Sequence, residues 1–78
     1  MSVQFFAGMA EAAGMRRLTI GWSGGSVAEL RAAIAAACPA VGALLARSAV
    51  AVDGRYATDA AAVPATADVA VIPPVSGG

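Results

Sequence analysis

Apolar and polar residues alternate from the start of the chain, with Val3 and Phe5 on one face of an extended run and Gln4 and Phe6 on the other. The pattern predicts a strand from Val3 to Ala7. Gln4 marks the second face as the wetter one, which leaves Phe6 as an apolar ring on a surface. Met9 to Ala13 predicts one or two helical turns closed by Gly14, a residue suited to a left-handed helix cap. Alternation resumes from Arg16 to Trp22, with Leu18, Ile20 and Trp22 on one side and Arg17, Thr19 and Gly21 on the other. That predicts a half-buried second strand.

Ser23, Gly24 and Gly25 predict a turn into the best-defined helix of the chain. Ser26 followed by Glu29 is a capping box, in which each side chain satisfies a backbone donor of the first turn. Val27, Leu30, Ile34 and Cys38 recur at spacings of three and four, the signature of one buried helical face. Pro39 ends this helix, and Val41, Leu44 and Leu45 predict a short helical segment from Pro39 to Ala46. Ala49 to Val52 predicts a strand, and Asp53-Gly54 a tight hairpin turn into Arg55, Tyr56 and Ala57. Thr58 to Thr66 reads as a loop. Asp68 to Ile72 is the last strand, Val69 and Val71 alternating with Ala70 and Ile72.

Two opening strands, a long helix and three closing strands predict an α+β fold with a mixed sheet of four to five strands packed on one main helix. The domain spans 1–72 and a tail 73–78. A single main helix covers one sheet face and leaves the other free. Parity places Phe6, Ile72 and Tyr56 on that free face, where an apolar cluster favours an interface.

Composition narrows the function. The chain has 78 residues and is 59% apolar, but 22 of its residues are Ala, so core volume rests on its few Val, Leu, Ile and Phe. Cys38 is the single cysteine and there is no His, which excludes a disulfide framework and a Cys/His metal cluster. Cys38 reads as a small core residue, since no His is present to activate it as a nucleophile. Five Arg and no Lys balance five acids, without the basic stripe that nucleic-acid binding needs. Arg16-Arg17 reads as a solvated strand start. The apolar run from Ala32 to Ala46 is interrupted by Pro39 and Gly42 and is too short for a bilayer. No signal peptide opens the chain, so a cytoplasmic location is expected.

The chain closes on Pro73, Pro74, Val75, Ser76, Gly77 and Gly78. Two prolines stop the strand and hold the backbone extended. The residues after them shrink to glycine, so the end can enter a slot that rejects larger side chains. Its reactive group is the Gly78 carboxylate, a poor acyl donor until it is activated as a mixed anhydride.

The opening Val3-Gln4-Phe5-Phe6-Ala7, the helix start Ser26-Val27, the turn Val52-Asp53-Gly54 and the ending from Asp68 to Gly78 resemble the small sulfur-carrier subunit of molybdopterin synthase. The resemblance runs the whole length and is most specific at the two ends. It implies a ubiquitin-like β-grasp fold and a carrier that is not an enzyme alone. Gly78 would be adenylated by a ubiquitin-activating-like adenylyltransferase that consumes ATP, then converted to a thiocarboxylate by a sulfur donor protein. The tail from Pro73 to Gly78 would insert into the large catalytic subunit, in a heterotetramer of two small and two large subunits. There the sulfur would pass to a pterin precursor. The resemblance further implies that Phe6, Tyr56 and Ile72 form the docking surface, with no cofactor bound and neither nucleic acid nor membrane as partner. The chain departs from many members in having Asp53 where Asn is frequent, Ala65-Thr66-Ala67-Asp68 in place of an acidic and glycine turn, and no Lys.

Three alternatives share these features. One is a sulfur carrier for thiamine thiazole or cysteine biosynthesis, another a ubiquitin-like protein modifier, and the third an interaction module with an inert tail.

Overall fold

The computed structural model describes residues 1–74, so Val75, Ser76, Gly77 and Gly78 lie outside the described residues. In order, the chain forms β1 Ser2–Phe5, α1 Ala7–Ala13, β2 Arg17–Thr19, β3 Gly25–Ser26, α2 Val27–Ala37 and a 3-10 turn Pro39–Val41. It continues with α3 Gly42–Leu45, β4 Ala49–Val52, β5 Arg55–Ala57, β6 Ala62–Val63 and β7 Val69–Ile72. Five strands form one mixed sheet in the order β2-β1-β7-β4-β5. β7 pairs in parallel with β1 and antiparallel with β4, so the last strand lies at the centre. The fold is the expected α+β arrangement of a mixed sheet on one main helix.

The capping box of α2 is complete. Glu29 N–H donates to Ser26 Oγ at 3.1 Å, and Ser26 N–H donates to Glu29 Oε1 at 3.0 Å. Val27, Leu30 and Ile34 of α2 are fully buried against Val3, Val50, Val69 and Val71 of the sheet. Met9, Val41 and Leu45 close the ends of this core. Cys38 joins it at 8% exposure, as its helical register predicts. The Asp53-Gly54 turn has positive φ at both positions, 51° and 81°, the backbone that a two-residue hairpin needs.

Some expected boundaries shift. β1 ends at Phe5, because Phe6 becomes the N-cap of α1 and accepts from Met9 N–H at 3.0 Å. α1 therefore begins at Ala7 rather than Met9, and Ala7 takes a positive φ of 48° as the chain turns off the strand. Gly14 caps it in the left-handed conformation as expected. β2 is shorter than the expected Arg16 to Trp22, although Ile20 N–H still donates to Met1 O at 2.9 Å.

The larger correction lies at Gly25 and in the segment read as a loop. Gly25 and Ser26 pair antiparallel with Val63 and Ala62, forming a second, two-stranded sheet at the start of α2. Ala61 O and Asp59 O accept from the N–H groups of Val27 and Ala28, both at 3.0 Å, so the segment satisfies donors that a helix start leaves open. Trp22 Nε1 donates to Val63 O at 3.0 Å and fastens the outer side. On the other flank, Arg31 bridges Asp59 Oδ1, Leu45 O and Ser48 O at 2.9, 2.6 and 2.8 Å. None of these partners is close in sequence, which is why local pattern did not show the pairing.

Candidate functional site

With α2 on one face of the large sheet, ladder register decides what stands on the other. Gln4 pairs with Arg17 and Ala70, Ala70 with Ala51, and Ala51 with Tyr56, which makes one row across all five strands. Ile72 pairs with Ala49 in the next row, and Phe6 follows β1 at the level of Ile72, its N–H donating to Val71 O at 3.3 Å. Phe6, Ile72 and Tyr56 thus share the face opposite α2, in agreement with parity.

They do not form one contiguous cluster. Phe6 and Ile72 are neighbours on adjacent strands, whereas β4 lies between Ile72 and the Tyr56 strand, and Tyr56 sits one row further along. Between them is a floor of Ala49, Ala51 and Ala70. Small side chains there keep the floor low, so the rings at its margins stand proud. Phe6 is 47% and Tyr56 75% exposed, while Ile72 is half-buried. The alanines were missed as site residues in the sequence, although the period-two pattern of β4 and β7 contained the signal.

A cleft of about 740 Å³ continues the face past Phe6, between α1 and the β1–β2 edge. Ala7, Met15, Arg16 and Arg17 line it together with Phe6, and Met15 is 41% exposed. This margin combines an apolar ring and thioether with two guanidinium groups and the Glu11 carboxylate. The opposite end of the face is acidic, with Asp53 and Asp68 exposed beside each other.

Pro73 and Pro74 follow β7 directly and carry no strand pairing. Proline has no N–H to extend the ladder, so the chain leaves the sheet here. Because β7 is central, it departs beside Phe6 and Ala49, at the end of the sheet. The remaining tail positions, Val75, Ser76, Gly77 and Gly78, lie outside the described residues. Among the described residues, no His, Cys, Asp or Glu converge as a metal-binding group, and no helix is long and apolar enough to cross a membrane.

Residues 3–78, and with them the closing glycines, match the ThiS family. The chain belongs to that family of ubiquitin-like sulfur carriers. Two solved structures share its fold. SAMP1 from Haloferax volcanii is 28% identical, with a TM-score of 0.84 over 99% of this chain and 97% of its own. A Pyrococcus furiosus protein assigned as molybdopterin converting factor subunit 1 is 25% identical, with a TM-score of 0.81 over 95% of each chain. No curated protein sequence matches the chain.

Proposed function

We propose that this ThiS-family carrier is the small subunit of a molybdopterin synthase, and that it carries sulfur on Gly78. The observation that supports this reading best is the placement of β7. The strand that precedes the tail runs through the sheet centre and ends beside Phe6, so a partner seated next to Phe6 would meet the tail without reorganising the domain. The likeness to the Pyrococcus furiosus protein agrees with the molybdopterin branch.

In the proposed cycle the Gly78 carboxylate attacks the α-phosphorus of ATP on the adenylyltransferase, and pyrophosphate leaves. The terminal sulfur of a donor persulfide then attacks the acyl carbon, and AMP departs with the C–O electron pair. A thiol cleaves the resulting acyl disulfide, leaving a thiocarboxylate on Gly78 and a disulfide on the donor side. The tail, from Pro73 through Pro74, Val75, Ser76 and Gly77, would then enter the large subunit, whose side chains catalyse sulfur transfer to the pterin precursor. Phe6, Tyr56 and Ile72 are assigned to docking.

Intact mass after incubation with ATP, the adenylyltransferase and a sulfur donor tests the carrier step. The expected result is a gain equal to exchanging one oxygen for sulfur, lost on deletion of Gly78. No gain with an active partner set would remove the sulfur chemistry. Binding to the large synthase subunit, measured against the corresponding partners of thiazole and cysteine synthesis, tests the branch. The likeness to SAMP1 supports a second reading, a protein modifier, which predicts Gly78 joined to lysines of other proteins in the same reaction.

A further inference from the structure

An activated C-terminus is an acylating agent, and the amines and thiols within its reach decide where the acyl group goes. Another copy of the same chain is one protein surface that such a terminus meets. This chain offers few acceptors. Its 78 residues contain no lysine and no histidine, and all five basic side chains are arginine. A guanidinium stays protonated at any physiological pH and has no free lone pair to attack with.

The two remaining strong nucleophiles are both tied into the fold. The Cys38 thiol is packed in the core below the end of α2. The α-amino group of Met1 donates to Ile20 O at 2.9 Å, while Met1 O accepts from Ile20 N–H at 2.9 Å, so the amine forms the last rung of the β1–β2 pairing. What stands exposed are hydroxyl groups and the Tyr56 phenol, which need a base for activation, and no imidazole is present to supply one.

We propose that the chain is an acyl donor with no efficient acceptor of its own. An activated copy delivers its acyl group outward, to sulfur or to an amine on a different protein, and a copy attached to another protein ends that conjugate instead of extending it. The inference rests on the reading of Gly78 as an activated terminus. In the suppressed reaction a lysine amine would bond to the Gly78 carbonyl carbon, AMP would leave with the C–O electron pair, and the amine proton would pass to water. Without the amine this path is closed, and the activated end waits for its sulfur donor.

The test uses the full chain carrying an aryl thioester at Gly78, made by intein cleavage, so that activation does not depend on any natural enzyme. Intact mass and peptide mapping follow covalent dimers at mildly alkaline pH, with Arg55→Lys and Arg16→Lys variants alongside, each placing one amine at an exposed position. The expected result is hydrolysed and unreacted monomer for the natural sequence, and at least about tenfold more dimer for each lysine variant. Equal dimer formation by the natural sequence, mapped to Met1, Cys38 or a hydroxyl, would overturn the proposal. So would the absence of dimers from both lysine variants, since lysine would then not be what decides. A parallel reaction with ATP, the adenylyltransferase and the sulfur donor reports on the proposed function separately. Failure there alone removes the sulfur-carrier reading and leaves the thioester result standing.

Discussion

Asp53 and Asp68 clasp one end of the sheet through two hydrogen bonds. The Asp53 N–H donates to Asp68 O at 2.7 Å, and the Asp68 N–H donates to Asp53 Oδ1 at 2.8 Å. The contact joins the β4–β5 turn to the residue just before β7, so the hairpin turn helps set where that strand begins. Asp53 also holds a φ of 51°, a conformation that Asp and Asn tolerate better than other side chains. Asp53→Asn keeps both features and should change stability by less than about 0.5 kcal/mol. Asp53→Ala loses the acceptor and strains the turn, and should cost about 1–2 kcal/mol. Urea unfolding of the two variants checks this, and equal losses would show that the side-chain bond contributes nothing.

Gly25 has a φ of 155°, and a Cβ there would lie 3.1 Å from Glu29 Oε1 and 3.1 Å from the Trp22 ring. Gly25→Ala should therefore disturb both the α2 capping box and the Trp22 contact, at a cost of about 2 kcal/mol. Trp22 fluorescence reads the local change and thermal unfolding reads the global one. An unshifted emission with unchanged stability would contradict the crowding.

The Glu29 carboxyl is held below its ordinary pKa, chiefly by the hydrogen bond from Ser26 N–H and then by the Ser26 hydroxyl. Because the folded value is the lower one, this contribution is complete above the unfolded pKa and is lost as pH falls through the folded one. Thermal stability should carry a Glu29 component that fades as pH falls from the ordinary carboxylate range through the lower folded value. Glu29→Gln keeps an oxygen acceptor but cannot titrate, so that component should be missing from its pH profile. Ser26→Ala should cost about 1 kcal/mol at neutral pH.

Tyr56 is 75% exposed, and its removal should leave folding nearly untouched. Tyr56→Ala should alter stability by less than about 0.5 kcal/mol. If the open face docks the large subunit, the same change should weaken binding about tenfold or more, and Phe6→Ala should act in the same direction. Calorimetric titration against the large subunit decides. Unchanged affinity in both variants would move the docking surface elsewhere.

Much of this molecule is local, and the local part was legible. The Ser26 and Glu29 capping box, the Asp53-Gly54 turn, the Gly14 cap and the alternation of Val69 and Val71 each depend on residues a few positions apart, so spacing alone specifies them. Parity likewise placed Phe6, Ile72 and Tyr56 on one face, because side chains alternate along any strand. Pairing between distant segments was not legible. Gly25 and Val63 meet as strands only because α2 and Trp22 hold them together, and two residues per strand are too few to leave a periodic signal.

The sequence by itself determined the five strands of the large sheet as elements, the buried face of α2, the absence of lysine and the proline-stiffened, glycine-ended tail. Tertiary structure alone decided that β7 enters between β1 and β4. That insertion sets Phe6 beside Ile72, lowers the floor between the exposed rings with Ala49, Ala51 and Ala70, and ends β7 beside Phe6. The reason is physical. Turns and caps are settled by neighbours along the chain, but strand order is settled by which distant apolar faces can be buried together against α2.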